Sequence, residues 1–118
     1  MTMQTDQPDW YCEEVLPGRA DIEVVAEDQQ ALAFRPDRRT AGVDHVIVIP
    51  RQHVRSLLEL PAADAVPLVA MVQQAAAVLT GLHGGCRVIS NIGTEQHNRH
   101  LHIHVVASTT GERLEGRF

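Results

Sequence analysis

The chain has 118 residues, of which 44% are hydrophobic, and a formal net charge of −5 at pH 7. This length and composition predict one globular domain and exclude a disordered chain. All ten basic residues are arginine, which excludes Schiff-base chemistry and the lysine-bearing phosphate loop. The acidic balance, without a basic stripe, disfavours a nucleic-acid partner.

Cysteine usage and hydropathy bear on the compartment. Cys12 and Cys86 are isolated from each other, and this pattern does not predict a disulfide framework. We expect no signal peptide, no apolar run that approaches the length of a membrane span, and no membrane partner. The sequence therefore predicts a cytoplasmic protein with reduced thiols.

Hairpins on either side of a single helix organise the chain. Residues 1–8 are polar and are expected to form a flexible N-terminus, and 108–118 a polar tail. A short helical turn is predicted over 9–16. The longer elements are strands over 22–26, 31–34, 45–49, 86–92 and 100–106, and one helix over 61–82. This order predicts an α+β fold with an antiparallel sheet of about five strands.

The predicted helix has clear ends and an apolar pattern. Pro61 suits its first turn, and Gly84-Gly85 ends it. Residues at helical spacing form one stripe: Val66, Val69, Ala70, Gln73, Ala77 and Val78. The small alanines at 75–77 would let the helix approach the sheet or a second copy of itself closely.

The segment His100–Val106 carries the strongest chemical signal. Its residues alternate, and successive side chains of a strand point to opposite faces. Three imidazoles therefore form a row on one face, while Leu101, Ile103 and Val105 face a core. Two chemistries fit such a row, namely metal binding and nucleophilic catalysis at phosphorus.

The same segment resembles the signature of the histidine triad (HIT) superfamily, nearest the Hint-type nucleoside phosphoramidase and bacterial HIT branch. Three further blocks are similar to the family pattern: Ala33-Phe34, the segment Asp44–Val54, and Asn91-x-Gly93 with Gln96. The likeness covers residues 9–107, which we interpret as a HIT domain.

The resemblance implies a nucleotide hydrolase or transferase that acts at the α-phosphate of a nucleoside monophosphate conjugate, such as a phosphoramidate or dinucleoside polyphosphate. His102 would be the nucleophile, and His100 would orient it through its backbone carbonyl. His104 would donate to phosphate oxygens or the leaving group, and His45 would support the row. His97 occupies the place of a serine that assists the leaving group in the Hint-type branch.

The family pattern also implies residues that bind the substrate. Asn91 and Gln96 would contact phosphate or ribose through their side-chain amides. Phe34 would lie in the substrate site. An acidic residue that contacts ribose is expected after it, and Asp37 is the nearest candidate.

A metal is the one cofactor that the resemblance raises. Family members with a structural metal often carry Cys-x-x-Cys near the start, where this chain has Asp9-x-x-Cys12. With His45 and His100 this pair could complete a zinc set, because aspartate also ligates zinc. His53 is expected to orient the turn after the third strand.

Related proteins pair through the long helix and an adjacent strand, so a homodimer is expected. Two alternatives to the enzyme stay open: a nucleotide-binding or interaction protein with little turnover, and a metal site on the histidine row.

Overall fold

A five-stranded antiparallel sheet and one long helix build the molecule. The computed structural model describes residues 9–36, 39–116 and 118. The strands are β1 (Glu23–Glu27), β2 (Ala31–Arg35), β3 (Val43–Pro50), β4 (Arg87–Ser90) and β5 (Ile103–Ser108), in the order β1-β2-β3-β5-β4. Helix α1 spans Ala62–His83, and a short helical turn spans Tyr11–Val15. The predicted α+β class is confirmed.

Helix α1 packs on one face of the sheet through a stripe other than the predicted one. Its buried residues are Leu68, Met71, Ala75 and Leu79. The predicted stripe is exposed: Val66, Val69, Ala70, Gln73, Ala77 and Val78. This helix carries apolar residues on both sides, so its periodicity alone could not decide which side faces the sheet.

By length and composition alone, α1 also qualifies as a membrane-crossing helix. The expectation that no apolar run reaches that length was therefore wrong. In the structure, Leu68 and Leu79 lie in the core between α1 and the sheet. Core helices of globular domains can also be long and apolar enough to cross a membrane.

The two faces of the sheet carry different cores. Val46, Val48 and Val105 belong to the core under α1. On the opposite face, Ile47 and Ile49 of β3 pack with the core of the N-terminal turn. This second face also carries the histidine row, so the N-terminal turn and the row share one side of the sheet.

The row extends beyond the end of β5. The ladder between β3 and β5 ends at the pair Val48 and Ile103, and β5 therefore begins three residues later than predicted. Ahead of it, the backbone N–H of Leu101 donates to the carbonyl of Val54 at 2.6 Å. This contact holds the segment before β5 against the turn after β3, which places His100 and His102 at the rim of the sheet.

Candidate active site

His102 is locked in one tautomer. Its Nδ1–H donates to the backbone oxygen of His100 at 2.7 Å, and its side chain is buried, with the residue 6% exposed. When Nδ1 carries the proton, Nε2 keeps a free lone pair. Burial lowers the pKa of His102, although its hydrogen bond to His100 raises it. His102 is therefore neutral at pH 7, with an unprotonated Nε2.

One aromatic side chain and a neighbouring imidazole flank His102. The Tyr11 ring lies 5.1 Å from the His102 ring, centroid to centroid, with 32° between their planes. The His104 ring lies 5.0 Å away on the strand, nearly perpendicular at 89°. These contacts restrict rotation of the His102 ring about its side-chain bonds.

His104 and His45 form a hydrogen-bonded pair. His45 Nε2 and His104 Nδ1 are 2.8 Å apart, because His45 on β3 is a diagonal neighbour of His104 on β5. Burial, and then the charge of His102, lower the pKa of His104 to about 4 and also lower that of His45. Both rings are neutral at pH 7, so one donates to the other.

His100 lies at the opposite end of the row, in contact with Asp9. Its Nε2–H donates to the carbonyl of Pro50 at 3.0 Å, and its Nδ1 lies 3.0 Å from Asp9 Oδ2. A neutral His100 with this Nε2–H presents an Nδ1 lone pair to a carboxylate oxygen. A proton or a metal ion between the two atoms relieves that repulsion.

Four donor atoms meet at this end of the row. Ligand atoms of Asp9, Cys12, His53 and His100 all lie within 4.8 Å of one another. His53 Nδ1 is 2.7 Å from Asp9 Oδ2, and Cys12 Sγ is 3.4 Å from His100 Nδ1. Two imidazoles, a thiol and a carboxylate around one point are a donor set that suits tetrahedral zinc.

Electrostatics of the cluster depend on Asp9. Burial raises the pKa of the Asp9 carboxyl. Its hydrogen bonds with Cys12 and His100 lower the pKa by more, so the net value is about 2. Burial and the nearby Asp9 raise the pKa of Cys12 to about 11. Without a cation the cluster therefore holds a carboxylate and a neutral thiol, and a bound metal would favour the thiolate.

The zinc set predicted with His45 needs correction. His53, not His45, lies beside Asp9, Cys12 and His100. His45 instead contacts His104, at the other end of the row. The antiparallel pairing of β3 and β5 would have identified His53, because residues after β3 lie beside residues before β5.

The predicted substrate residues lie in different surroundings. The Asn91 side-chain amide donates to the backbone oxygen of Phe118 at 2.7 Å. Gln96 braces its own loop: its Nε2 donates to the backbone oxygens of Arg55 and Asn98 at 2.8 and 3.0 Å. His97 lies on the same loop, where its charge contributes to the lowered pKa of His102 and His104.

Phe34 lies in the core beside the row. Its side chain is fully buried, with ring centroids 6.2 Å from Trp10 and 6.3 Å from Tyr11. Asp37, the candidate ribose contact, falls outside the described residues.

Sequence reasoning missed two aromatic contacts with the row. Tyr11, in the N-terminal turn, lies on the rings of His100 and His102. Phe118, in the tail, lies near His45 and His104. No periodic signal marks either residue, since both contacts depend on how the chain ends fold back onto the sheet.

Comparison with known proteins identifies the family. Residues 9–117 match a family model described as "Scavenger mRNA decapping enzyme C-term binding". An uncharacterised HIT-like protein of Synechococcus elongatus is 38% identical over 88 residues, covering 71% of this chain and 76% of its own length.

Solved structures of a histidine triad protein and of a HIT family protein are similar to this chain. A histidine triad protein from Clostridium difficile has a TM-score of 0.71 and 26% identity, with all of both chains covered. A HIT family hydrolase from Legionella pneumophila has a TM-score of 0.66 and 26% identity, covering 80% of this chain and 88% of its own.

Three alternating histidines on an antiparallel sheet backed by one helix define the histidine triad class. The chain belongs to the HIT-like superfamily, as its sequence signature predicted.

Proposed function

We propose that the protein is a nucleotide hydrolase or transferase that acts at the α-phosphate of a nucleoside monophosphate conjugate. The tautomer lock on His102 carries the proposal, since a buried imidazole with Nδ1–H held by a carbonyl has a free Nε2. The names of relatives support the class, because one similar protein is called a HIT family hydrolase and the matched family is named for a decapping enzyme.

The reaction has two displacements. The Nε2 lone pair of His102 forms a bond to the α-phosphorus, and the bond from phosphorus to the leaving group breaks. A water molecule then forms a bond to the same phosphorus, and the bond to Nε2 breaks. This releases the nucleoside monophosphate and restores neutral His102.

His104 is the proposed hydrogen-bond donor to the phosphate or the leaving group. If His45 Nε2–H donates to His104 Nδ1 across the 2.8 Å contact, then His104 carries its own proton on Nε2. That N–H donates a hydrogen bond to a phosphate oxygen or to the leaving-group atom in the first step, and the leaving group takes its proton from solvent. The attacking water gives one proton to solvent in the second step, so the protons balance. His97 is proposed as a further donor, and Asn91 as a phosphate or ribose contact.

Substitution of His102 tests the mechanism. We expect His102→Ala to lower the rate of AMP release from an adenosine 5′-phosphoramidate by about a thousandfold or more, because the nucleophile is lost. His83→Ala is the matched control, because its ring pairs with Asp44 away from the row. Full turnover in His102→Ala would refute the mechanism. AMP binding without turnover in the wild type would favour a nucleotide-binding protein.

A zinc ion is proposed at the cluster of Asp9, Cys12, His53 and His100. The ion would supply structural cross-linking, since its ligands come from the N-terminal turn, the turn after β3 and the segment before β5. His100 would then be held at Nδ1 by the metal and at Nε2 by Pro50. Its carbonyl, which accepts from His102, would be fixed by the same contacts.

A homodimer is also proposed. Strand β4 is at an edge of the sheet, and Val88 on it is 53% exposed. On α1, Val66 and Val69 are 75% and 52% exposed, in the stripe that does not pack on the sheet. A helix face and a strand edge with exposed apolar residues suit self-association.

A further inference from the structure

The backbone of His100 is held on both sides by hydrogen bonds. Its own N–H donates to Asn98 Oδ1 at 2.8 Å. The next N–H along the chain, that of Leu101, donates to the backbone oxygen of Val54 at 2.6 Å. The two planar peptide groups that flank the His100 Cα are therefore both fixed, which restricts rotation about the two backbone bonds between them.

The direction of the His100 carbonyl follows from these contacts. This carbonyl and the N–H of Leu101 belong to one planar peptide group, so the bond to Val54 sets the plane in which the carbonyl oxygen lies. The same oxygen accepts from His102 Nδ1 at 2.7 Å. Because a hydrogen bond weakens steeply when its angle departs from the preferred range, a rotation of this peptide group would weaken the bond to His102.

Gln96 ties its loop to the turn after β3. Its Nε2 donates to the backbone oxygens of Arg55 and Asn98 at 2.8 and 3.0 Å. Its Oε1 accepts from a backbone N–H of the same loop at 3.2 Å. Because Arg55 directly follows Val54 in the chain, one turn supports both contacts of the His100 backbone.

These hydrogen bonds bear on the substrate contact that the family pattern implies for Gln96. The side-chain amide nitrogen has two N–H donors, and it makes two bonds to backbone oxygens. A substrate contact through this nitrogen would have to break a bond that anchors the loop. The geometry therefore favours a role for Gln96 in holding Asn98 in place.

We propose that Asn98 is a positioning residue for the nucleophile and that Gln96 anchors it. Asn98 acts through the backbone of His100, whose carbonyl keeps the proton of His102 on Nδ1. In the proposed function, on which this inference rests, attack on phosphorus requires a free lone pair at Nε2. When the carbonyl turns away, the proton can move to Nε2, and that fraction of the protein cannot attack.

NMR of the imidazole nitrogens tests the proposal on the protein without substrate. We expect Asn98→Ala to shift part of the His102 population from the Nδ1–H to the Nε2–H tautomer. With an adenosine 5′-phosphoramidate, the same variant should lower kcat about three- to tenfold, the value of one hydrogen bond, and leave KM unchanged. Gln96→Ala should act in the same direction on the tautomer and on kcat.

Two further variants separate the hydrogen bond from a general effect on the loop. Asn98→Asp keeps an acceptor oxygen at this position, so it should restore both the tautomer and kcat. Thr94→Ala is the matched control, because Thr94 is exposed on the same loop. It should change neither the tautomer nor kcat.

Other results would overturn the proposal. An unchanged tautomer in Asn98→Ala, or a lower kcat without a change of tautomer, would show that Asn98 does not act through the His100 carbonyl. A higher KM with unchanged kcat in Gln96→Ala would assign that residue to substrate binding. Failure of the proposed catalysis appears separately, as AMP release that does not depend on His102, because the tautomer is measured without substrate.

Discussion

At the scale of single residues, hydrogen bonds assign different tasks to chemically identical imidazoles. His102 donates to a backbone carbonyl, His104 pairs with His45, and His100 faces Asp9. The alternating sequence was sufficient to predict the shared face, whereas the choice of His102 as nucleophile came from the family resemblance and stays a prediction. It could not predict the Asp9 contact or the Tyr11 stack, because both are made between segments that are distant in the chain.

The neutral histidines make stability depend on pH. The pKa of His104 is lowered from 6.5 to about 4, chiefly by burial. Between these values the unfolded chain binds a proton that the folded protein does not, so stability falls as pH drops below about 6.5 and is unaffected above it. After allowance for solvent, we expect His104 to reduce the free energy of unfolding by about 1 kcal/mol from pH 7 to pH 5.

Urea unfolding at the two pH values measures this loss. His104→Gln should make the loss of unfolding free energy smaller. Part of the loss should persist, because the pKa values of His45 and His102 are also lowered. Equal wild-type stability at pH 5 and pH 7, or a His104 pKa near 6.5 by NMR titration, would contradict the burial argument.

At the scale of elements, the N-terminal turn depends on one carboxylate. Asp9 Oδ1 accepts from the backbone N–H groups of Tyr11 and Cys12 at 3.0 and 3.1 Å, which caps the turn. Its other oxygen faces His53 and His100. The same side chain therefore starts the turn and joins it to the end of the histidine row.

Metal content tests the cluster. We expect wild-type protein to bind one zinc ion and to gain thermal stability from it, because the ligands connect three segments. His53→Ala should lose the ion, whereas His45→Ala, which removes the histidine at the other end of the row, should keep it. Elemental analysis and melting curves with and without a chelator measure both effects. Metal retained by His53→Ala but lost by His45→Ala would contradict the assignment.

Elements were more predictable than their packing. The strands and the helix follow from alternation, turn residues and the glycine end signal at Gly84, which adopts a left-handed φ of 93°. The side of α1 that faces the sheet was not predictable, because Val69 and Leu68 are equally apolar neighbours and only the assembled sheet selects between them.

At the scale of the whole molecule, the exposed side of α1 and the β4 edge form one proposed surface. We expect light scattering to give a dimer for the wild type. Val69→Glu combined with Val88→Glu should give a monomer, because two buried charges without partners are costly. Val24→Glu is the matched control, since Val24 is 47% exposed on β1 at the other edge of the sheet. A wild-type monomer, or a dimer that persists in the double variant, would refute this surface.

The most direct test of the central claim is to locate the nucleotidyl group. Wild-type protein is mixed with an adenosine phosphoramidate, quenched at alkaline pH and cleaved after arginine, which places all three histidines in one peptide, residues 100–113. Fragmentation of that peptide by mass spectrometry should place a single nucleotidyl group on His102 and none in His102→Ala. A group on His104 or His100, or AMP release with no modified histidine, would contradict the account.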